Sequence, residues 1–251
     1  MTDRPLERQV PDAPAERFRA AGEYAVAGDL RYLSHHDELR LLVRALVRAR
    51  WPLRYSQGFN PLPRLVLPLP RSVGMASTCQ WLLVELREPR PARELADRLA
   101  ATLPRGITLR QLIAPAPAGT PHPVGVTYTV TLPAREARDI SRRLEDVLAL
   151  NEILVHRETD ARRAPAPLDI RPYLETLTLD GPVLRIQLRC DGQRTARPSE
   201  ILTALGLAGD AHNHAVCRCE VRWDMELVGP DGPPITPEGI QLGRAEEIPN
   251  G

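Results

Sequence analysis

The chain is expected to fold as an α+β protein of two βαββαβ units in tandem, each with its own antiparallel sheet. Three observations predict this. Apolar spacing runs strand, helix, strand, strand, helix, strand through residue 113, then repeats in the same order. Between the two runs lies APAPAGTPHPV, residues 114–124, whose four prolines make an extended, stiff boundary. The halves also differ in charge: residues 16–115 carry 16 arginines against 9 acids, and residues 116–251 carry 15 against 20. A length of 251 residues suits two ordinary domains.

Each element has its own signal. Phe18 to Val26 reads as a strand that turns at Gly28-Asp29. Ser34 and Asp37 have capping-box spacing, with Asp in place of the usual Glu. Leu39, Leu42, Val43, Leu46 and Val47 then recur at helical spacing until Pro52 blocks continuation. Leu65 to Leu69 and the alternating Trp81 to Leu86 read as strands. Pro91 to Leu103 reads as a helix with Leu95, Leu99 and Leu103 inward, and Ile107 to Ile113 as the closing strand.

In the second half, Val126 to Leu132 is the expected first strand. Ala134 to Leu150 is a helix burying Ile140, Leu144, Val147 and Leu148, and Ile153 to His156 is a short strand. Ile170 to Leu179 and Val183 to Cys190 form a hairpin about Asp180-Gly181. Pro198 to Leu205 is a helix stopped by Gly206, capped by Ser199 or Thr195, and Val216 to Val228 closes the unit. The order of the first half is the ferredoxin-like βαββαβ one, and the second half repeats it with one further short strand at Ile153 to His156. The expected boundaries are a tail at 1–15, a basic domain at 16–113, the linker at 114–124, an acidic domain at 125–228 and a Gly/Pro-rich tail at 229–251.

Composition narrows the function. The 33 basic residues are all arginine, so every one can form a bidentate fork to phosphate or carboxylate. Four scattered cysteines, Cys79, Cys190, Cys217 and Cys219, are too few for a disulfide scaffold. No apolar run reaches membrane length and the N-terminus has no secretory pattern, so a cytoplasmic protein without a membrane partner is expected. No P-loop, dinucleotide fingerprint, nucleophile elbow or HExxH occurs.

The stretch from Gly28 to Arg71 concentrates the candidate chemistry. Arg40, Arg44 and Arg48 lie four apart on the face opposite the leucines, and Arg31, Arg54, Arg64 and Arg71 come from neighbouring loops. These suit phosphate; the alternative for the stripe is a solvated helix face. The loop YSQGFNPLPR, Tyr55 to Arg64, sets Tyr55 and Phe59 beside Ser56, Gln57 and Asn60, with Gly58 for a tight turn. Aromatics with amides and arginine suit stacking on and reading of an RNA base. The alternative is that these aromatics plug the sheet–helix core. His35-His36-Asp37 sits at a helix start with Ser34, where an anion is favoured. His35 is the candidate acid–base group, or it merely caps or packs. His212, His214, Cys217 and Cys219 form a crowded candidate for zinc; the expectation is two core cysteines on a strand and no bound cofactor.

The first half resembles the radical-SAM-linked family, a domain of unknown function found beside or behind radical SAM proteins. The resemblance rests on GDLRYLSHxD (Gly28 to Asp37), the rhythm of Arg44-Ala45-Leu46 and Arg48-Ala49, and YSQGFNPxP (Tyr55 to Pro63). IRPYL from Ile170 and TARPSE from Thr195 are similar to the family's later motifs. His36 replaces an aliphatic residue, Val73 to Cys79 diverges, and nothing after Gly206 matches. The resemblance implies a radical SAM partner. The chain itself lacks the C-x₃-C-x₂-C that would hold an iron–sulfur cluster.

Tandem ferredoxin-like units with a histidine near the first helix and a Gly-containing basic loop are also similar in architecture to CRISPR repeat-processing endonucleases, which cleave RNA without metal. Three functions are therefore expected to compete. The first is an accessory protein binding RNA or another phosphate-bearing ligand. The second is a metal-independent RNA endonuclease using His35, and the third a scaffold docking a radical SAM enzyme.

Overall fold

The computed structural model describes residues 17–157, 167–192 and 194–227. The tails expected at 1–15 and 229–251 lie outside them. The protein is a mixed α/β structure around a mostly antiparallel sheet.

In the first half, β1 (Phe18–Val26) lies between β3 (Ala76–Leu86) and β4 (Ile107–Ile113), antiparallel to both. The two-residue β2 (Leu65–Val66) pairs with the C-terminal part of β3. Helix α1 (His35–Arg48) starts at Ser34, whose Oγ accepts from the Asp37 amide at 3.2 Å and donates to its carboxylate at 2.7 Å. Helix α2 (Ala92–Ala100) has Pro91 just outside it, one residue earlier than the expected first-turn position. Both helices bury their leucine stripes, Leu42 and Leu46 from α1 and Leu95 and Leu99 from α2, against Tyr24, Leu82, Val84 and Leu109.

In the second half, β5 (Pro123–Thr131) pairs with β9 (Val183–Arg189) and with β10 (Val216–Trp223), and β8 (Leu174–Asp180) flanks β9. Helices α3 (Ala134–Ala149) and α4 (Pro198–Ala204) cover a second core of Ile140, Leu144, Ile201 and Leu202 on Val130, Leu184 and Ile186. The short β6 (Leu154–His156) and β7 (Pro167–Asp169) form a separate two-stranded sheet. The expected strand from Ile170 begins only at Leu174, because Arg171–Tyr173 is a 3₁₀ turn with a proline inside it. Neither Ser199 nor Thr195 caps α4; Arg197 occupies the cap position and its amide donates to Glu200 at 2.7 Å.

The halves share one eight-stranded sheet. Its order is β4-β1-β3-β10-β5-β9-β8, with β2 beside β3. The join is a short parallel pairing of β10 with β3, Cys217 opposite Ala76 and Arg218 opposite Ser77. Tandem units with separate sheets were expected, because the ASTCQ stretch that starts β3 has no apolar alternation to mark it as a strand. β3 runs five residues earlier than expected and meets β10 there. A small cluster of Ala21, Trp81, Leu83 and Ile113 packs on the other face of β1 and β3, against Ala116 of the proline-rich stretch, Trp223 at the end of β10 and Leu227 beyond it. Among the described residues no helix is long and apolar enough to cross a membrane.

Candidate functional site

The first motif joins the halves. Gly28–Tyr32 forms a 3₁₀ turn, entered with Gly28 at φ 58°. Arg31 donates to the His214 carbonyl at 3.3 Å and to the Tyr32 hydroxyl at 3.0 Å. The Tyr32 ring meets His214 edge-on at 5.2 Å. His214 ends α5 (Asp210–His214), a short helix absent from the expected elements. Gly74 approaches the same ring: its φ is +89°, and a Cβ there would lie 2.6 Å from the imidazole.

Beneath this turn is a buried charge centre. Arg71 Nε lies 3.0 Å from Glu38 Oε2, and both side chains are almost wholly buried. The Tyr24 hydroxyl donates to the other Glu38 oxygen at 2.8 Å. Arg71 also donates to the carbonyls of Leu30, Arg31 and Met75, tying the 3₁₀ turn to the start of β3. Burial lowers the Arg71 pKa, and the Glu38 carboxylate works against that fall. Burial and the Glu38 charge push the Tyr24 phenol well up. A second buried arginine, Arg218, donates to the carbonyls of Leu69 at 2.9 Å and Pro70 at 3.0 Å. A carbonyl-saturated guanidinium is a bracket, with little left for a ligand. Arg71, read from sequence as one of the loop arginines around the phosphate site, is therefore structural. The signal for it was present: Glu38 falls in line with Leu42, Ala45 and Leu46 on the buried stripe of α1. An acid there needs a cationic partner.

His35 stands at the start of α1 with its Nδ1 buried and without a hydrogen-bond partner among the described residues. Its ring lies 5.7 Å from that of His36. Among the described residues no acid–base dyad is assembled around it. Ser34 and Asp37 are occupied in capping, and Arg40 pairs with Asp37 at 3.4 Å. Arg48 donates to the Thr102 carbonyl at 2.5 Å. Arg44 is exposed and has no partner among the described residues.

The Tyr55–Arg64 loop is a protruding hairpin. Tyr55 bridges to Pro63, the Arg64 amide donates to the Arg54 carbonyl at 2.9 Å, and the Ser56 and Leu62 backbones and the Ser56 hydroxyl close the turn. Its root is stitched to β3: the Arg54 amide donates to the Glu85 carbonyl, and the Glu85 amide to the Arg64 carbonyl. Both guanidiniums face the Glu85 carboxylate, Arg64 at 3.6 Å and Arg54 at 4.0 Å. Gly58, at φ +133°, turns the tip, where Gln57 and Asn60 are exposed and Phe59 is 100% exposed. Phe59 plugs no core. Leu62, Tyr55 and Val66 are exposed beside it. Between hairpin and sheet runs a groove of about 380 Å³, lined by Leu62, Val66 and Leu83 with Arg19, Arg64 and Glu85.

The candidate zinc ligands are turned to other tasks. His212 Nε2 meets Glu136 at 2.7 Å, and His214 packs on Tyr32. Burial pushes the Cys217 thiol up to about 12 and raises that of Cys219, away from the thiolate a metal needs. No group of three or more His, Cys, Asp or Glu able to hold a metal occurs among the described residues. One titrating group escaped the sequence: Glu23, opposite Trp81 on β1, whose pKa burial raises to about 7 against the pull of Arg110 and Gln111.

The later motifs are also structural. Arg171 of IRPYL donates to the carbonyls of Leu148 and Leu150, capping the C-terminal end of α3. Glu200 of TARPSE takes a two-point contact from Arg157 at 2.7 and 2.8 Å.

A comparison with curated proteins finds no match to the chain. A family model, described as an uncharacterized protein conserved in bacteria (DUF2344), matches residues 19–198, a span running from β1 to the start of α4 that includes the 3₁₀ turn, the buried charge centre and the hairpin. The chain belongs to this family.

Proposed function

We propose that the protein is a non-catalytic accessory that docks a partner protein through the 54–64 hairpin. The observation that carries this reading is Phe59, fully exposed at the tip of a loop whose root is braced on β3. A free aromatic on a braced support is the kind of anchor that dominates interfaces. It stands beside exposed Leu62, Tyr55 and Val66. The resemblance of GDLRYLSHxD and YSQGFNPxP to the radical-SAM-linked family points to a radical SAM protein as that partner. The strand orders β4-β1-β3-β2 and β10-β5-β9-β8 are the same fourth-first-third-second permutation, which supports two ferredoxin-like units fused through one sheet.

The phosphate reading has less behind it. Of the six arginines it would use, Arg31, Arg40 and Arg48 already have partners within the chain, Arg54 and Arg64 share Glu85 at 4.0 and 3.6 Å, and Arg44 has no partner among the described residues. The cleavage reading rests on His35, which has no acid–base partner among the described residues.

The test is retention by the tagged full chain from a lysate, with RNA sequencing and mass spectrometry on the same eluate. The expected result is a protein carrying the radical SAM C-x₃-C-x₂-C motif, retained after ribonuclease treatment. Phe59→Asp should abolish retention and Arg105→Ala should leave it intact. Loss of a buried aromatic anchor costs about 2 kcal/mol or more, roughly 30-fold in affinity. Retention of RNA alone, falling steeply with salt and lost in Arg44→Ala, would replace docking with the nucleic-acid reading. Partner retention indifferent to Phe59→Asp would remove the hairpin from the site.

A further inference from the structure

The groove at the hairpin root has a charge pattern that the exposed tip does not explain. Arg64 and Arg19 line the groove with one carboxylate, Glu85, which Arg54 also reaches from outside the lining, and Arg19 donates to the Gly119 carbonyl. Two positive groups thus line the groove against one negative. The contacts to Glu85 are also loose. At 3.6 and 4.0 Å they exceed the 2.7–2.9 Å of a charge-assisted hydrogen bond. Arg64 Nε and Glu85 Oε2 are both buried, and neither makes a hydrogen bond among the described residues. A buried donor left unmade is a standing cost, and an incoming carboxylate relieves it. Apart from Ser56 the rest of the groove is apolar, with Leu62 and Val66 exposed and Leu83 buried. β2, which carries Val66, pairs only with β3, so its outer edge is open to an added strand among the described residues.

We infer that this groove binds an extended acidic segment of the partner protein, one carboxylate seating on Arg64 and a neighbouring aliphatic side chain lying between Leu62, Val66 and Leu83. The inference rests on the docking reading and deepens it, because it names the chemistry of the segment that docks. Glu85 acts as a placeholder: it holds Arg64 in the groove and yields it to the better-aligned carboxylate.

The experiment is selection of a random peptide library displayed on phage against the immobilised full chain. Enriched peptides are then synthesised, labelled and titrated. The expected outcome is enrichment of sequences with Asp or Glu next to Leu, Ile or Val. Arg64→Glu and Leu62→Ser should each lower affinity about tenfold or more, as loss of a desolvated charge partner or an apolar anchor does. Glu85→Gln should raise it several-fold by removing the internal competitor, an effect that no loss of folding could imitate. Arg105→Ala should change nothing, and thermal melts should show that every variant folds. Enriched peptides that are basic or without acids, or whose binding ignores Arg64, would overturn the inference. If such peptides still depend on Phe59, the docking reading survives and only its acidic chemistry falls. Enrichment of nothing, with a labelled single-stranded RNA binding in an Arg64-dependent way, would end both.

Discussion

The guanidinium of Arg71 and the carboxylate of Glu38 meet at 3.0 Å inside the first half, and the Arg71 donors not facing Glu38 are spent on loop carbonyls. One ion pair thereby ties helix α1, the 3₁₀ turn of the first motif and the start of β3 into one body. That body carries the contact to His214 in the second half.

Breaking this pair from one side should be severe. Glu38→Ala leaves Arg71 charged, buried and unmatched, and should lower stability by about 3–5 kcal/mol. Arg71→Met should cost a similar amount, because Glu38 then keeps only Tyr24. The double substitution Glu38→Leu with Arg71→Met should cost clearly less than the two separate losses together. Urea denaturation of the four proteins closes the cycle; additive losses would mean the two groups are not coupled.

Glu23 makes stability depend on pH near neutrality. Its folded pKa, about 7, lies above its ordinary 4.5, so the folded state holds the proton more tightly than the unfolded one. Its contribution is whole below about pH 4.5 and declines as pH rises toward 7, since the unfolded chain gives up the proton first. Glu23→Gln should therefore stabilise the protein at pH 8 by on the order of 2 kcal/mol and flatten the decline between those limits. Denaturation midpoints across pH 4 to 8 measure it; a variant with an unchanged slope would assign the decline to other groups.

Cleavage within the proline-rich stretch should not separate the halves. Residues 114–122 join β4 to β5, but β10 and β3 hold the halves together through the sheet, and Arg218 reaches across to Leu69 and Pro70. A protein nicked there should elute from size exclusion as a single species of native size. Two separately eluting fragments would show that the seam is weaker than the covalent link.

The hairpin can be altered without harm to the fold. Phe59 is fully exposed and touches no core, so Phe59→Asp should change the unfolding free energy, read from urea denaturation, by no more than surface substitutions usually do, about 0.5 kcal/mol. A large loss would mean that the tip braces the structure.

Local features carried most of the elements. The Ser34 cap, the leucine stripe of α1, the Asp180-Gly181 turn and the Gly206 stop each depend on neighbours a few residues away, and all lie where residue pattern alone puts them. What depends on distant partners was hidden. Ala76 to Gln80 is a strand because β1 and β10 lie beside it, and α5 and β7 are too short to show a period, although the short strand ending at His156 was legible.

The site divides the same way. Sequence alone determined that the first half is arginine-rich, that its helices and turns fall in βαββαβ order, and that Tyr55 to Arg64 is an unusual loop. These are properties of composition and of spacing along one stretch of chain. Only the tertiary structure decided which arginines are free. It placed Arg71 on Glu38, Arg31 on His214 and Arg48 on Thr102, and it left Phe59 in solvent. A guanidinium looks the same in sequence whether a carbonyl or water receives its hydrogen bonds, and that choice is made by chain segments folded in from elsewhere.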